Sequence, residues 1–258
     1  MRHAAACLTL AVLACLPATG AAAPARRIVS LDLCADWMLA RYVEPARVAA
    51  LSPLHRRFPV TWLGTGWPAH DGTLEQVLQL KPDLVITGEY NALLLRRRLQ
   101  ALGVRVEVLP LPKSLADIRA YEEDMLRLLD LPADRASVPP LAAAMEGPRK
   151  RLLLMGANGI GTGRETFEDG ILEQVGWTNY LGESGYVRLD LERIAQDPPD
   201  AILWAAPGSR ALANRFAEHP ALRRAVAPGR WLTTDYWRWQ CPGPWTWELT
   251  GQLRQWRD

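Results

Sequence analysis

The sequence predicts an α/β protein of two similar lobes, each a parallel-type sheet flanked by helices, with a ligand cleft between the lobes. A thirteen-residue pattern occurs twice, as LEQVLQLKPDLVI at residues 74–86 and as LERIAQDPPDAIL at residues 191–203. Both copies read as a short helix that ends at Pro-Asp and is followed by an apolar strand. Around both copies apolar strands alternate with helices, which indicates parallel sheets. Proteins with two such lobes commonly bind their ligand between them.

The first half of the chain, residues 26–113, is predicted to form the N-terminal lobe. Apolar runs predict its strands at residues 27–31, 48–51, 84–87 and 104–109. Helices are expected at residues 32–40, in the first repeat and up to about residue 102. Residues 52–73 remain as a long loop that carries two tryptophans. Loops of this length are commonly functional.

The second half, residues 151–258, is predicted to form the C-terminal lobe, and residues 114–150 connect the two. Apolar residues at helical spacing predict a helix over residues 115–131. Strands are then expected at residues 152–155, 201–204 and 231–233, and helices at 166–175, in the second repeat, at 211–218 and from 245. Ligands bind beyond the carboxyl ends of parallel strands, so the turns after the first strand of each half are expected at one cleft.

The first 25 residues are interpreted as an export signal. Arg2 supplies a positive start, residues 4–16 form an apolar run too short to span a bilayer, and three alanines at residues 21–23 offer a cleavage site. The alternative takes VLAC at residues 12–15 as a lipoprotein signal, which would leave Cys15 acylated and the protein tethered by its N-terminus. We favour ordinary cleavage.

Charge argues against nucleic acid and anionic membrane surfaces as partners. The formal net charge is +2 and the basic residues are scattered along the chain. After the signal, no segment is long and apolar enough to be transmembrane. The remaining residues, about 230, suffice for two small α/β units with a sizeable core.

Neither a metal site nor a catalytic site is predicted. His55, His70 and His219 have no ligand spacing, and Ser30 and Ser52 lack a nucleophile motif or a placed base. The Gly-rich turn GANGIGTGR at residues 156–164 fits neither nucleotide-binding motif. We interpret this turn as one that lets a large ligand approach the backbone. Its last residue, Arg164, either pairs with a ligand carboxylate or phosphate or is simply solvated.

Two cysteines, Cys34 and Cys241, follow the signal. In an oxidising compartment they favour a disulfide that would close a loop of about two hundred residues. Two partly buried thiols are the alternative, and thiolate ligation of a metal is a weaker one.

Aromatic residues and two glutamates are the remaining candidates for function. Several of the eleven tryptophans lie in predicted loops: Trp62, Trp67, Trp237, Trp239 and Trp245. The segment DYWRWQCPGP at residues 235–244 follows the last strand, and Asp235, Trp237 and Arg238 in it indicate recognition of a large ligand. Glu75 and Glu192 occupy the same position in the two repeats. One interpretation is that each carboxylate stabilises the first turn of its helix through the helix dipole. The other is that the two form an acidic pair that binds a two-fold symmetric basic partner.

Five segments in this order, after an export signal, resemble the periplasmic substrate-binding proteins of ABC importers for ferric siderophores and cobalamin. They are RIVSL at 27–31, TLEQV with KPDLVI at 73–86, TGRET at 162–166, LERI at 191–194 and DYW at 235–237. The resemblance covers nearly all of the chain after the signal and implies two lobes bridged by one long helix. It also implies that Glu75 and Glu192 dock onto arginines of the two membrane subunits. The implied cleft contacts are Phe58, Trp67, Tyr90, Ile160, Tyr186 and Trp237.

This resemblance implies a monomeric, periplasmic protein that delivers a metal chelate and has neither catalysis nor a resident cofactor. An exported α/β hydrolase is the alternative. Two features depart from the family pattern: the connecting segment is short and contains two prolines at 139–140, and a bond between Cys34 and Cys241 would hinder ligand exchange. The sequence therefore leaves the cysteine pairing open.

The identity of the ligand also stays open. Tryptophans favour a corrinoid or heme, whereas five loop arginines favour an anionic siderophore: Arg56, Arg57, Arg164, Arg188 and Arg238.

Overall fold

The computed structural model describes residues 24–60, 63–137, 148–205, 212–234, 238–239 and 241–257. The predicted signal up to residue 23, the prolines at 139–140, and the candidate residues Trp62, Asp235 and Trp237 lie outside the described residues. Within the described ranges, no helix combines the length and apolar character needed to cross a membrane.

The N-terminal lobe is built on a four-stranded parallel sheet of order β2-β1-β3-β4. Its strands are β1 (Ile28–Ser30), β2 (Val48–Ala50), β3 (Leu84–Gly88) and β4 (Val106–Leu109). The helices of this half are α1 (Leu33–Tyr42), α2 (Leu54–Arg57), α3 (Leu74–Gln79), α4 (Leu93–Ala101) and α5 (Asp117–Leu128). This is the parallel α/β layer that the alternation predicted.

Both faces of this sheet are covered. Ile28 points into a core with Trp37 and Met125, whereas its neighbour Val29 points into a second core with Leu99 on the other side. Successive strand residues face opposite sides, so a run of apolar residues is what a sheet buried on both faces requires.

The C-terminal lobe has a six-stranded sheet that is mixed. Its strands are β5 (Lys150–Met155), β6 (Ile160–Thr162), β7 (Trp177–Asn179), β8 (Tyr186–Arg188), β9 (Ala201–Trp204) and β10 (Trp231–Thr233). Strands β7, β9 and β10 continue the parallel pattern around β5, but β6 runs antiparallel to β5 and β8. The helices are α6 (Phe167–Gln174), α7 (Leu191–Gln196), α8 (Pro220–Ala225) and α9 (Trp245–Arg257).

The antiparallel strands correct the expectation of a simple turn after β5. Asn158 and Gly159 adopt left-handed backbone conformations, with φ of 60° and 69°, and reverse the chain at this point. The N–H of Gly156 then donates to the carbonyl of Ile160 at 2.8 Å, so the Gly-rich segment folds back on β5. A second correction concerns the helix predicted at 211–218, because the structure has a 3-10 helix over Leu212–Glu218.

The two copies of the repeat occupy equivalent places. Each repeat helix, α3 or α7, leads into a strand that pairs in parallel with the first strand of its lobe. The aspartate of each Pro-Asp accepts backbone N–H groups where that first strand begins. Asp83 accepts from Arg26 and Arg27 at 2.8 and 3.0 Å, and Asp200 accepts from Arg151 at 2.6 Å. The repeated aspartate therefore holds the start of the central strand in register.

The segment that connects the lobes contains a helix, α5, which is twelve residues long and whose Met125 packs in the N-terminal core. Residues 138–147 of this segment lie outside the described residues. The chain crosses between the lobes again near its end. Trp239 packs in the C-terminal core, Trp245 in the N-terminal core, and Leu249 of α9 in the C-terminal core again. The last helix is thus shared by both lobes.

Candidate functional site: the cleft between the lobes

A cleft of about 800 Å³ lies between the two lobes. Its walls come from the turns that follow strands of the N-terminal lobe and from the start of α6 and strand β8 in the C-terminal lobe. The short segment before α9 completes the lining with Trp239 and Cys241. This volume lies in the range usual for small-molecule sites.

Among the described residues, five aromatic side chains line this cleft: two from each lobe, and Trp239 from the segment before α9. Phe58 and Tyr90 belong to the N-terminal lobe, and Phe167 and Tyr186 to the C-terminal lobe. Tyr90 is 66% exposed and Tyr186 is 60% exposed, which is unusual for large aromatic side chains. The hydroxyl of Tyr186 donates to Oε1 of Glu168 at 3.3 Å. Rings on both walls suit a ligand with large flat apolar faces.

The charged residues among the described lining are mainly acidic. Glu89 comes from the N-terminal lobe and Glu165 and Glu168 from the C-terminal lobe, against a single cation, Lys113. Burial raises the pKa of the Glu168 carboxyl, and the hydrogen bond from Tyr186 partly offsets this rise. Oε1 of Glu89 is buried and has no hydrogen-bond partner among the residues that the structure describes.

Tight turns fix the C-terminal wall. Gly163 must be glycine, because a Cβ there would lie 2.0 Å from the carbonyl oxygen of Glu183. Thr166 is the N-cap of α6, since its hydroxyl oxygen accepts the N–H of Asp169 at 3.1 Å and the hydroxyl donates to the carbonyl of Gly163 at 2.9 Å. Between them Glu165 has a φ of 61°, a left-handed conformation that is costly for a residue with a Cβ. Such strain is common at ligand sites.

The cysteine pairing that the sequence left open is a disulfide in the structure. The sulfurs of Cys34 and Cys241 are 2.19 Å apart and their Cα atoms 5.0 Å apart. Both residues line the cleft, which is nevertheless open. The bond joins the first turn of α1 to the segment before α9, and both cysteines pack in the N-terminal core.

The structure brings some of the predicted ligand contacts together. Phe58, Tyr90 and Tyr186 line the cleft. Among the described residues, Trp67, Ile160, Arg164 and Arg238 are not part of this lining. Trp67 packs against the N-terminal core and its Nε1 donates to the carbonyl of Leu63 at 2.9 Å; Ile160 pairs within β6 and β8; and Arg164 is exposed beside Ser184.

The five loop arginines do not line the cleft in the part of the chain that the structure describes. Arg57 lies beside it, with its guanidinium carbon 5.3 Å from the ring centroid of Phe58. The lining residues that the sequence did not predict as ligand contacts include Phe167 and the three glutamates. Each of them follows a strand or lies at the start of a helix. Their place next to these predicted elements was the only signal in the sequence that could have identified them.

Glu75 and Glu192 lie outside the cleft lining and are exposed. Each stands in the first turn of its helix, next to a capped N-terminus. Thr73 caps α3 by accepting the N–H of Gln76, and Asp190 caps α7 by accepting from Glu192 itself and from Arg193.

A buried Ser-His-Asp cluster near the carboxyl end of β1 bears on the hydrolase alternative. Nε2 of His70 lies 2.8 Å from the carbonyl oxygen of Ser30, and Nδ1 accepts the N–H of Gly72 at 2.9 Å. The hydroxyl of Ser30 donates to the carbonyl of Asp32 at 2.9 Å. Both imidazole nitrogens are therefore occupied by backbone groups, and His70 is not placed to deprotonate Ser30.

No protein-family model matches the chain, and no curated protein sequence matches it. Its fold does match solved structures. A structure described as a possible iron-binding, periplasmic solute-binding protein from Staphylococcus epidermidis aligns with a TM-score of 0.66 and 19% identity, over 90% of this chain and 98% of that one. A periplasmic heme-binding protein from Pseudomonas aeruginosa aligns with a TM-score of 0.66 and 22% identity, over 89% and 91%. A periplasmic heme-binding protein from Roseiflexus aligns with a TM-score of 0.65 and 18% identity, over 91% and 100%.

These alignments span nearly the whole of each chain and confirm the fold class that the repeat and the strand-helix alternation predicted. The protein therefore has the two-lobed α/β fold of the periplasmic solute-binding proteins.

Proposed function

We propose that this protein is an exported solute-binding protein of an ABC importer, which captures a metal chelate between its lobes and delivers it to the membrane subunits. The observation that carries this proposal is the cleft of about 800 Å³ with aromatic rings on both walls. The fold supports it as well, because the similar structures are described as binding heme or iron.

Within the class of metal chelates, the cleft favours a flat tetrapyrrole, heme or a corrinoid, over an anionic siderophore. Phe58 and Phe167 offer apolar ring faces from opposite lobes. Such rings provide a large contact area for a flat ligand. Tyr90 and Tyr186 add exposed phenol groups, and tyrosine oxygen is a known axial ligand of heme iron. The arginines that would neutralise an anionic siderophore are not among the described lining residues.

The partners follow from the same function. Glu75 and Glu192, one exposed carboxylate per lobe, would form salt bridges with the two membrane subunits. Such a protein acts as a monomer in the periplasm, with the chelate as cargo and no resident cofactor.

Titration of the purified protein with hemin, cyanocobalamin and a ferric hydroxamate tests this function. We expect saturable quenching of tryptophan fluorescence by a tetrapyrrole, together with a shift of its absorption bands, at one ligand per chain. If the ring of Tyr186 contacts the ligand, Tyr186→Ala should weaken binding more than Tyr186→Phe does. If only the hydroxyl contributes, the two variants should weaken binding equally. Absence of saturable binding with all three chelates would reject the proposal.

A further inference from the structure

The charge of the cleft walls narrows the class of chelate. Of the described lining residues, three are glutamates and one is a lysine, and the glutamates come from both lobes. Glu89 faces the cleft from the turn after β3, whereas Glu165 and Glu168 face it from the start of α6. The two walls therefore present carboxylates to each other, and a ligand placed between them lies close to both.

One of these carboxylates also lacks a donor. Oε1 of Glu89 is buried without a hydrogen-bond partner in the described part of the chain. Carboxylate oxygens only accept hydrogen bonds, so a ligand N–H or O–H at the exposed carboxylate of Glu165 gains a hydrogen bond, whereas an anionic group there meets another acceptor.

We propose that the cleft selects neutral or positively charged metal chelates that carry hydrogen-bond donors, such as amide-substituted tetrapyrroles, and discriminates against anionic ones. This inference rests on the function proposed above and concerns the ligand of the same site.

The size of the effect follows from Coulomb's law. A negative charge added to the ligand is repelled by the carboxylates of the walls, at an effective dielectric constant below that of water. Salt screening and the partial protonation that burial favours reduce this repulsion, and we expect about a tenfold loss of affinity for each added negative charge.

Among the described residues, the cations at this site do not outnumber the carboxylates. Lys113 is exposed, and its charge offsets one carboxylate at most. Arg57 is also exposed and lies against Phe58, beside the cleft rather than among its lining residues. Solvent screens the exposed Glu165 and both cations alike, so screening does not turn the excess of carboxylates into an excess of cations.

Matched chelates that differ only in charge test the proposal. The pairs are hemin and its bis-propionamide, cyanocobalamin and its derivative with side-chain amides hydrolysed to carboxylates, and ferrioxamine B and its N-succinyl derivative. In each pair that binds, we expect the neutral or cationic member to bind about tenfold or more tightly than the anionic member. This comparison uses the unaltered protein, so it does not depend on the folding of a variant.

Two variants assign the preference to the glutamates. In the double variant Glu89→Gln with Glu165→Gln, the preference should fall several-fold. Glu173→Gln is the matched control, because Glu173 is an exposed glutamate at the far end of α6 that does not line the cleft, and it should leave the preference intact.

The outcomes separate this inference from the proposed function. Equal or tighter binding of the anionic members, or a preference unchanged in the double variant, would overturn the inference and leave the binding function standing. If no member of any pair binds, the proposed function fails and the inference fails with it.

Discussion

Cys34 in the first turn of α1 is bonded to Cys241, which lies four residues before the start of α9. Cys241 and Trp245 pack in the N-terminal core, where Trp245 meets the ring of Trp37 edge-on at 5.2 Å between centroids. Leu249, one helical turn further on, packs in the C-terminal core. The disulfide and Trp245 thus fix the segment before α9 to the N-terminal lobe, while α9 itself also packs in the C-terminal core.

The first prediction concerns this bond. The double variant Cys34→Ser with Cys241→Ser should lose about 2–5 kcal/mol of unfolding free energy, because the bond closes a loop across 207 positions. Thermal unfolding with and without dithiothreitol measures the loss. The reductant should lower the melting temperature of the unaltered protein to that of the variant and have no effect on the variant itself. Equal melting temperatures for the oxidised protein and the variant would contradict the stabilising role.

Two glycines of the C-terminal lobe should respond to alanine in opposite ways. Gly163→Ala should destabilise the protein by several kcal/mol or disrupt the cleft wall, since the new Cβ would lie 2.0 Å from a backbone oxygen. Gly170→Ala should stabilise it by about 0.5–1 kcal/mol, because Gly170 lies inside α6 and a Cβ there meets no atom within 4 Å. Urea unfolding of both variants measures the difference. Loss of stability in Gly170→Ala would show that α6 needs a glycine for another reason.

A buried carboxyl makes stability depend on pH. Asp36 is fully buried, and its carboxylate accepts the N–H and the hydroxyl of Ser52 at 2.8 and 2.6 Å. Burial outweighs these bonds and raises the pKa of Asp36 to about 7. Between pH 4 and 7 the folded protein keeps a proton that the unfolded chain has lost. The contribution of Asp36 to stability therefore falls as pH rises through this window, by up to about 4 kcal/mol, and is constant above it.

The variant Asp36→Asn tests this pH dependence. The amide does not titrate, so the difference in unfolding free energy between the unaltered protein and the variant should change by roughly that amount from pH 4 to pH 7. Urea unfolding at a series of pH values measures it, with the exposed Asp134→Asn as the control that keeps the original slope. Parallel pH profiles for Asp36→Asn and the unaltered protein would mean that Asp36 is ionised throughout.

Sequence patterns predicted those parts of the fold that repeat or alternate. The two copies of the helix-strand motif are confirmed in equivalent places, because a Pro-Asp after a short helix both ends the helix and supplies the aspartate that binds the first strand. Strands β6, β7 and β8 were missed, because each is three residues long and mixes apolar with polar or glycine residues. The pairing of β6 with β5 depends on a left-handed turn at Asn158 that the sequence does not specify.

The cleft was harder to predict than the fold. Trp239 and Trp245 were predicted to lie in loops, but they are 1% and 2% exposed and pack in the cores of the two lobes. Conversely, Glu89 and Glu165 lie in turns, where a charged residue is typical of solvent exposure. They line a cleft only because the second lobe lies opposite them. Such proximity of segments that are far apart in the chain leaves no pattern in the local sequence.

The repeated glutamates give the last prediction. Glu75→Ala with Glu192→Ala should leave chelate affinity unchanged, because both side chains are exposed and neither lines the cleft. Delivery should fail, because each lobe loses the carboxylate that we propose to pair with a membrane subunit. Affinity is measured by fluorescence titration and delivery by uptake of the chelate in cells that depend on this protein. Glu75→Asp with Glu192→Asp should retain part of the uptake, since the charge is kept, and Glu173→Ala should retain all of it. Full uptake with the double alanine variant would exclude docking through these two residues, and a matching loss of affinity would place them in ligand binding instead.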